Sequence, residues 1–478
     1  MSDWIPGILE LTSKVRYGIT SRGLPIFRFV PYDKLLHPFA VGCSQRDLFH
    51  NVHAIVSPLS GEEGKGVLQK AILIQNLGKP TPESELQVLL ATYAYDSKKS
   101  LRPTKDKEGI TITLPTLTER KSIEGFTFNI DPPGCKDVDD SFTVIESEEK
   151  GKWHISINIA DVSSLIQEDS PLDIQARERA TSFYSPTGEC LAPMFPPEIS
   201  EIAASLGSDE KRAVLSLQFT YTSDNEGGQL SDFKWTEGVV SRTRSFTYDD
   251  ANTLLHNYKE LQIIKDISKG ADSHEWVQNL MILYNKKAGE ALKTTGKGIL
   301  RAHSVPDAEK LSTLVAIDPA FAILAYDAAT FCLSTEENTR HFGLDSDAYA
   351  YASSPIRRYC DLVNQRALKG AISQVSIDLV DSLNRRQKQA KAFSRDLFFM
   401  TELANKKDSV EGVVLNQSDL QKTRVQFVKV YVPVWKRCIK VRIQSDMRIP
   451  VPGEKVIIEW YDDREKPNWK ERIIFRIH

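Results

Sequence analysis

The stretch NIDPPGCKDVDD, residues 129–140, sets four aspartates, Asp131, Asp137, Asp139 and Asp140, within ten positions, directly after the strand-like run FTFNI. Carboxylates this dense repel one another, so a folded chain must protonate them, leave them in water or give them cations. If the stretch is extended, Asp137 and Asp139 share a face, and the turn written by PPG brings Asp131 back toward them. A convergent set of hard oxygen ligands suits Mg²⁺ or Mn²⁺. Such ions complete their shells on polyanionic substrates and serve phosphoryl transfer. An acidic solvated turn is the commoner source of such a pattern. An EF-hand loop begun at Asp137 fails on spacing, and the β-rich SFTVIES that follows opposes a helix N-cap cluster.

With 478 residues the chain exceeds a single core and predicts about three domains. No apolar run approaches the roughly 18 residues that span a bilayer, and the start MSDWIPGILEL lacks a basic segment and a signal-peptide core. A cytoplasmic protein without a membrane partner is expected. The six cysteines are scattered without a CxxC pair. That pattern argues against structural zinc and a disulfide framework, and fits a reducing compartment. Cys135 sits among the aspartates, whose charges raise a thiol pKa, so it reads as inert. The net charge of −3 excludes a globally basic nucleic-acid binder. Residues 408–478 are the basic part of the chain, a weak pointer to local contact with an anionic polymer.

Residues 1–95 carry short alternating runs (LPIFRFV, FHNVHAIV, VLQKAILIQNL) broken by Gly and Pro, which predicts a small OB-like barrel, with ESELQVLLATYAYD as a helix after it. Residues 96–119 read as a polar linker. From 120 to 405, strands (FTFNI, DSFTVIES, WHISINIADV, AVLSLQFTYT) precede helices (SHEWVQNLMILYNKKAGEALK, PAFAILAYDAATFCL, IRRYCDLVNQRALKGAI and a long segment from IDLVDS), which predicts α+β rather than a doubly wound sheet. Five strand-like runs in 408–478 predict a second OB-type barrel.

The motif NIDPPGCKDVDDSF resembles the signature of the RNase II/RNase R (RNB) family of 3′→5′ exoribonucleases. HISINIADVSSLI, the segment from DIQARERATSFYSP, ILRAHSVPDAEKL and HFGLDSDAYAYASSPIRRYCDLVNQRAL follow in family order, so the resemblance covers residues 120–405. It implies an RNB catalytic domain flanked by cold-shock-like and S1-like OB domains. The first region has room for one barrel rather than the usual two. The implied activity is Mg²⁺-dependent hydrolysis of single-stranded RNA from its 3′ end by a two-metal mechanism, releasing nucleoside 5′-monophosphates, through a narrow channel that suits a monomer.

Carried over position by position, Asp131, Asp137, Asp139 and Asp140 match the metal-binding aspartates, with Asp139 the most essential for catalysis and Asp140 beside it. Arg357 matches the residue that grips the scissile phosphate, Arg358 is an adjacent substrate-binding candidate, and Tyr184 matches an aromatic that clamps the 3′-terminal bases. Arginine suits phosphate through its planar, doubly donating fork, and tyrosine stacks on any base. His303 and His341 read as structural. The chain departs from the family at Tyr351, Ala352, Gln365 and Ser394, where the last replaces a carboxylate. These departures keep open a catalytically weak or inactive RNA-binding protein on the same scaffold. A metal-dependent nuclease acting on DNA is a third reading, since no residue can be identified in the sequence as reading the 2′-hydroxyl.

Overall fold

The computed structural model describes residues 4–59, 68–94, 117–207, 209–223, 228–241, 243–372, 374–404, 408–418, 426–443, 447–463, 466 and 469–477. Most of the expected linker at 96–119 lies outside the described residues. The chain divides into two compact units. One comprises Met1–Leu101, Val305–Asp327 and Gln389–His478, and the other Arg102–Ser304 and Ala328–Lys388. The architecture is α+β, as the order of strands and helices predicts.

In the first unit, β1 (Ile5–Leu9), β2 (Ile26–Pro31), β3 (Phe39–Gly42), β4 (Val52–Pro58) and β5 (Gln69–Gly78) form a closed barrel in the order β1-β2-β3-β5-β4. Alternation sends Leu9, Phe27, Phe29, Val41, Ala54 and Val56 inward, all of them buried. Helix α1 (Pro82–Tyr93) follows, started by a capping box at Thr81 and Ser84. Near the C-terminus, five strands, Asp408–Ser418, Gln426–Val432, Arg437–Ile443, Lys455–Asp462 and Ile473–Ile477, make a second small antiparallel sheet. Its inner face is filled by Val414, Val428, Val430, Val441 and Ile458. The excursion Val305–Asp327 packs Leu314 and Phe321 against Leu415 of this sheet, with the Phe321 ring edge-on to Tyr431 at 5.2 Å.

The second unit is built on a seven-stranded sheet. Its strands are β6 (Lys121–Ser122), β7 (Phe126–Asp131), β8 (Asp140–Glu146), β9 (Lys152–Ala160), β12 (Arg212–Thr222), β13 (Gln229–Val240) and β14 (Arg244–Thr247). A small hairpin, β10 (Phe183–Tyr184) and β11 (Cys190–Ala192), intervenes in sequence. The spatial order is β14-β7-β8-β9-β12-β13-β6. The two edge pairings, β13 with β6 and β14 with β7, are parallel.

The two faces of the sheet differ in kind. On one, Phe128 pairs with Phe142, Phe142 with Ile157, Ile157 with Leu217 and Leu217 with Trp235. On the other, Ser141 pairs with Asn158, Asn158 with Ser216 and Ser216 with Thr236. Ser141, Asn158 and Ser216 are fully buried. An unpaired buried hydroxyl or amide costs about 1–3 kcal/mol. These groups bond one another instead, with Ser216 Oγ to Asn158 Oδ1 at 2.7 Å and Asn158 Nδ2 to Thr143 Oγ1 at 2.9 Å.

Helices follow the strands. Helix α2 (Pro171–Arg179) lies before the hairpin, and α3 (Tyr248–Thr253), α4 (Lys259–Ser268) and α5 (Ser273–Thr295) come after the sheet. The segment PAFAILAYDAATFCL, expected to be helical, is instead a 3₁₀ turn at Pro319–Ala325, an extended Tyr326 and the strand Thr330–Leu333. The chain passes from one unit to the other between Asp327 and Ala328, just after Tyr326 leaves the turn with extended backbone (φ −75, ψ 138). The strand half is held by the Asn384 amide, which bonds both the N–H and the C=O of Phe331.

Candidate active site

Strands β7 and β8 pair only from Phe126–Phe128 to Phe142–Val144. Beyond that they part: β7 ends on Asp131, β8 begins on Asp140, and the loop between them carries Asp137 and Asp139. Gly134 has φ +77, a conformation that a β-carbon would strain, and it closes the turn in which Cys135 N–H donates to Pro132 O at 3.1 Å. Val138 is fixed on both backbone groups, its N–H to Ser205 Oγ at 3.1 Å and its C=O to Leu206 N–H at 3.0 Å. The Asp139 carbonyl accepts from Ala160 N–H at 2.9 Å. The backbone of the acidic loop is therefore anchored before its side chains are considered.

A second loop reaches Asp139 from far along the chain. Ile356 N–H donates to Asp139 Oδ1 and Arg357 Nε to Oδ2, each at 2.9 Å. Asp139 is buried, whereas the Arg357 side chain is 45% exposed, so part of its guanidinium faces solvent. Arg357 Nη2 also bonds Ser354 Oγ at 3.1 Å. The loop is tied to the hairpin through Ser182 N–H to Arg357 O at 3.0 Å, and Tyr359 N–H to Ala180 O at 2.8 Å. These ties place Tyr184 at the acidic loop, where its hydroxyl donates to Asp137.

Burial pushes the Asp139 carboxyl up to about 7, an effect only partly offset by the Arg357 charge. Burial, with the charges of Asp131 and Asp139, holds Asp140 well above the carboxylate range. Asp131 is also raised by burial, opposed by a hydrogen bond from Asn129 and by the Arg357 charge. Burial and the Asp131 and Asp137 charges keep the Cys135 thiol protonated, as its neighbours predict.

Asp131, Asp137, Asp139, Asp140, Arg357 and Tyr184 are thus brought into one neighbourhood from sequence positions more than two hundred residues apart. Arg358 is turned away to other partners. It pairs with Asp361 at 2.6 Å and lies 4.1 Å over the Tyr351 ring. Arg301 lies on the same ring at 4.4 Å. Tyr351 therefore serves as a stacking post for two guanidinium groups, at one of the positions where the chain departs from the resembled pattern. Gln365 is fully buried, and its amide donates to Ala160 O at 2.8 Å and accepts from Ser163 N–H at 2.9 Å. Ala352 is buried and Ser394 exposed. His303 and His341 pack together with ring centroids 4.9 Å apart, and burial followed by the His303 and Arg301 charges lowers His341 to about 4.

Two residues escaped the reading of the sequence. Asn129 Nδ2 donates to Asp131 Oδ2 at 2.8 Å. Tyr248 stacks face to face on His274 with centroids 3.7 Å apart. Burial and then the charges of Asp131 and Asp140 push the Tyr248 phenol up to about 12. Asn129 was findable, since it lies two residues before Asp131 and so on the same face of a strand. Tyr248 carries no local signal, because only the parallel pairing of β14 with β7 brings it to the acids.

No group of three or more His, Cys, Asp or Glu side chains among the described residues is preassembled to hold a metal ion. Asp139 is engaged by a guanidinium and Asp137 by a phenol. The donor chemistry nonetheless fits a divalent cation. Asp140 Oδ2 is buried without a hydrogen-bond partner, and burial raises three of the four carboxyls, a penalty that a hard cation relieves. A cavity of about 600 Å³ lined by Leu117, Asp161, Leu165, Ile202 and Arg212 is separate from this cluster, and none of the four aspartates lines it.

A mixed sheet-and-helix unit carries an acidic loop met by an arginine from a distant loop. The RNB domain family model matches residues 120–269 and 257–374, and the chain belongs to the RNB family. It is 24% identical over 435 residues to exosome complex exonuclease RRP44 homolog A of Arabidopsis thaliana, covering 71% of this chain and 45% of that protein. The chain spans about half the length of the curated relatives it matches. In fold it is similar to Mycoplasma genitalium RNase R in complex with ribose-methylated single-stranded RNA. The TM-score is 0.75 at 15% identity, covering 99% of this chain and 90% of that one. It is also similar to yeast Ssd1, a pseudonuclease, with a TM-score of 0.70 at 16% identity, covering 97% of this chain and 68% of that one. No helix among the described residues is long and apolar enough to cross a membrane.

Proposed function

We propose that the chain is a divalent-metal-dependent exoribonuclease that shortens single-stranded RNA from the 3′ end and releases nucleoside 5′-monophosphates. The observation that carries this reading is the convergence of Asp131, Asp137, Asp139 and Asp140 with Arg357 bonded to Asp139. Asp131, Asp137, Asp139 and Asp140 would hold Mg²⁺ or Mn²⁺. When bound, these ions supply a polarised water and neutralise phosphate charge.

The chain's own groups do the rest. Arg357 keeps one edge on Asp139 and presents the remainder of its fork to a phosphate, whose growing negative charge it stabilises. Tyr184 offers its ring to a terminal base, a grip worth about 1–3 kcal/mol and indifferent to sequence. Arg358 is paired with Asp361 and stacked on Tyr351, and it braces the Arg357 loop beside the phosphate path. The RNB domain is proposed to occupy residues 120–405, with OB-like RNA-binding modules at 1–95 and 408–478, working as a monomer.

Incubating 5′-labelled oligo-RNA with Mg²⁺ should yield a ladder of shortening products that EDTA abolishes. RNA left intact with Mg²⁺ and with Mn²⁺ would sink the reading. A second reading, RNA binding without cleavage, is favoured by the similarity to a pseudonuclease and by the absence of a preassembled ligand cage among the described residues. It is established if wild type and Asp139→Asn both bind RNA and neither cleaves it. A DNA oligomer run alongside tests whether ribose is required.

A further inference from the structure

The polar face of the sheet continues through Asn129 to Asp131, and Asn129 touches that carboxylate directly. Asn129 is 1% exposed. Its Nδ2 donates to Asp131 Oδ2 at 2.8 Å, and its Oδ1 accepts from Ser245 Oγ at 2.8 Å. Ser245 lies opposite Asn129 in the parallel pairing of β14 with β7, and Thr247 lies opposite Asp131. The two bonds fix the amide in one orientation. With its oxygen turned to that hydroxyl, the Asn129 side chain presents its N–H to the carboxylate, the donor the carboxylate needs.

We infer that Asn129, oriented by Ser245, is a positioning residue that holds the Asp131 carboxylate in one rotamer for binding a divalent cation. The inference rests on the proposed metal site. A carboxylate whose one oxygen is held by a rigid, buried N–H has its rotamer set and its other oxygen left for an ion, as happens around metal ligands in general. A neutral donor does this without competing for the ion, which a lysine or arginine at 129 would do. The rest of the polar face does not share the role. Thr127 bonds Thr143 at 2.8 Å, an equally buried pair that reaches none of the four aspartates.

The test is Mn²⁺ binding to the full chain in the absence of RNA, measured by titration calorimetry, with thermal unfolding recorded for each variant. Asn129→Ala should raise the Mn²⁺ Kd about tenfold. Ser245→Ala, which frees the amide to turn but leaves it in place, should raise Kd by a smaller factor. Thr127→Val should lower Tm and leave Kd where it was. If Asn129→Ala fails to fold, Ser245→Ala still decides the matter. Wild-type Kd in a folded Asn129→Ala, or in Ser245→Ala where that is the variant that folds, overturns the inference and leaves the metal site standing. A Kd shift in Thr127→Val equal to that in Asn129→Ala also overturns it, since the effect would then be general loosening of the sheet. Wild type that binds no Mn²⁺ removes the metal site and this inference together.

Discussion

The two faces of the seven-stranded sheet are made by the same strands and differ by one residue of register. On one face Phe128, Phe142, Ile157 and Leu217 stand in a row, buried and indifferent to orientation beyond shape. On the other, Ser141, Asn158 and Ser216 stand in an adjacent row, equally buried but bonded pairwise. Apolar burial is non-directional and stabilises in proportion to area, at about 25 cal/mol per Å². Hydrogen bonds between buried groups add little net stability but specify angles. The comparison assigns stability to the first face and side-chain orientation to the second; Asp131, two residues past Asn129, continues the second, while Asp140, two residues before Phe142 and opposite Ile159, ends the first.

The largest expected effect tests the acidic loop. Asp139→Asn keeps the shape but removes the charge that Arg357 and a cation share. Cleavage of labelled RNA should fall by at least about 10³-fold, the rate equivalent of about 4 kcal/mol, while unfolding in EDTA changes little. A substantial loss of stability without metal would break the division of labour.

Next comes the apolar face. Leu217→Ala should lower stability by about 2–5 kcal/mol, read by urea unfolding. Its folded fraction should bind Mn²⁺ with wild-type affinity. A Kd shift there would mean that packing, and not the polar row, sets the carboxylates.

The smallest effect sharpens the boundary between the two. Burial raises the Asp139 carboxyl to about 7, above its value in an unfolded chain. The folded protein therefore holds a proton that the unfolded chain gives up, and the associated stability is full below about pH 4 and declines as pH rises through 7. In EDTA, Tm should fall by a few degrees more between pH 5 and 8 in wild type than in Asp139→Asn, and Mn²⁺ should restore it at pH 8. Equal slopes in the two proteins would detach Asp139 from the effect.

The acidic loop and its strands were legible because they are local. FTFNI is β7, and the crowding of carboxylates is itself a statement about charge. SHEWVQNLMILYNKKAGEALK is α5 because its apolar spacing is that of a helix. What was hidden is tertiary. That Asp139 bonds Arg357 depends on a loop 218 residues away. IRRYCDLVNQRALKGAI begins its helix only at Tyr359, since Arg358 is extended and the segment before it is tied to Asp139 through Ile356 N–H and Arg357 Nε. The departures at Tyr351 and Gln365 looked like losses in the sequence, and each has partners in the structure that give it structural work. Ser394, exposed on its helix, has no such account.

The excursion Val305–Asp327 has a practical corollary for anyone dissecting the molecule. Neither unit is a contiguous run of codons. A fragment cut at residue 405 would carry Leu314 and Phe321 without Leu415 and Tyr431, turning a buried seam into a sticky surface. Deleting the tail would therefore report on aggregation before it reported on RNA. A cleaner dissection replaces 305–327 with a short linker at the same time.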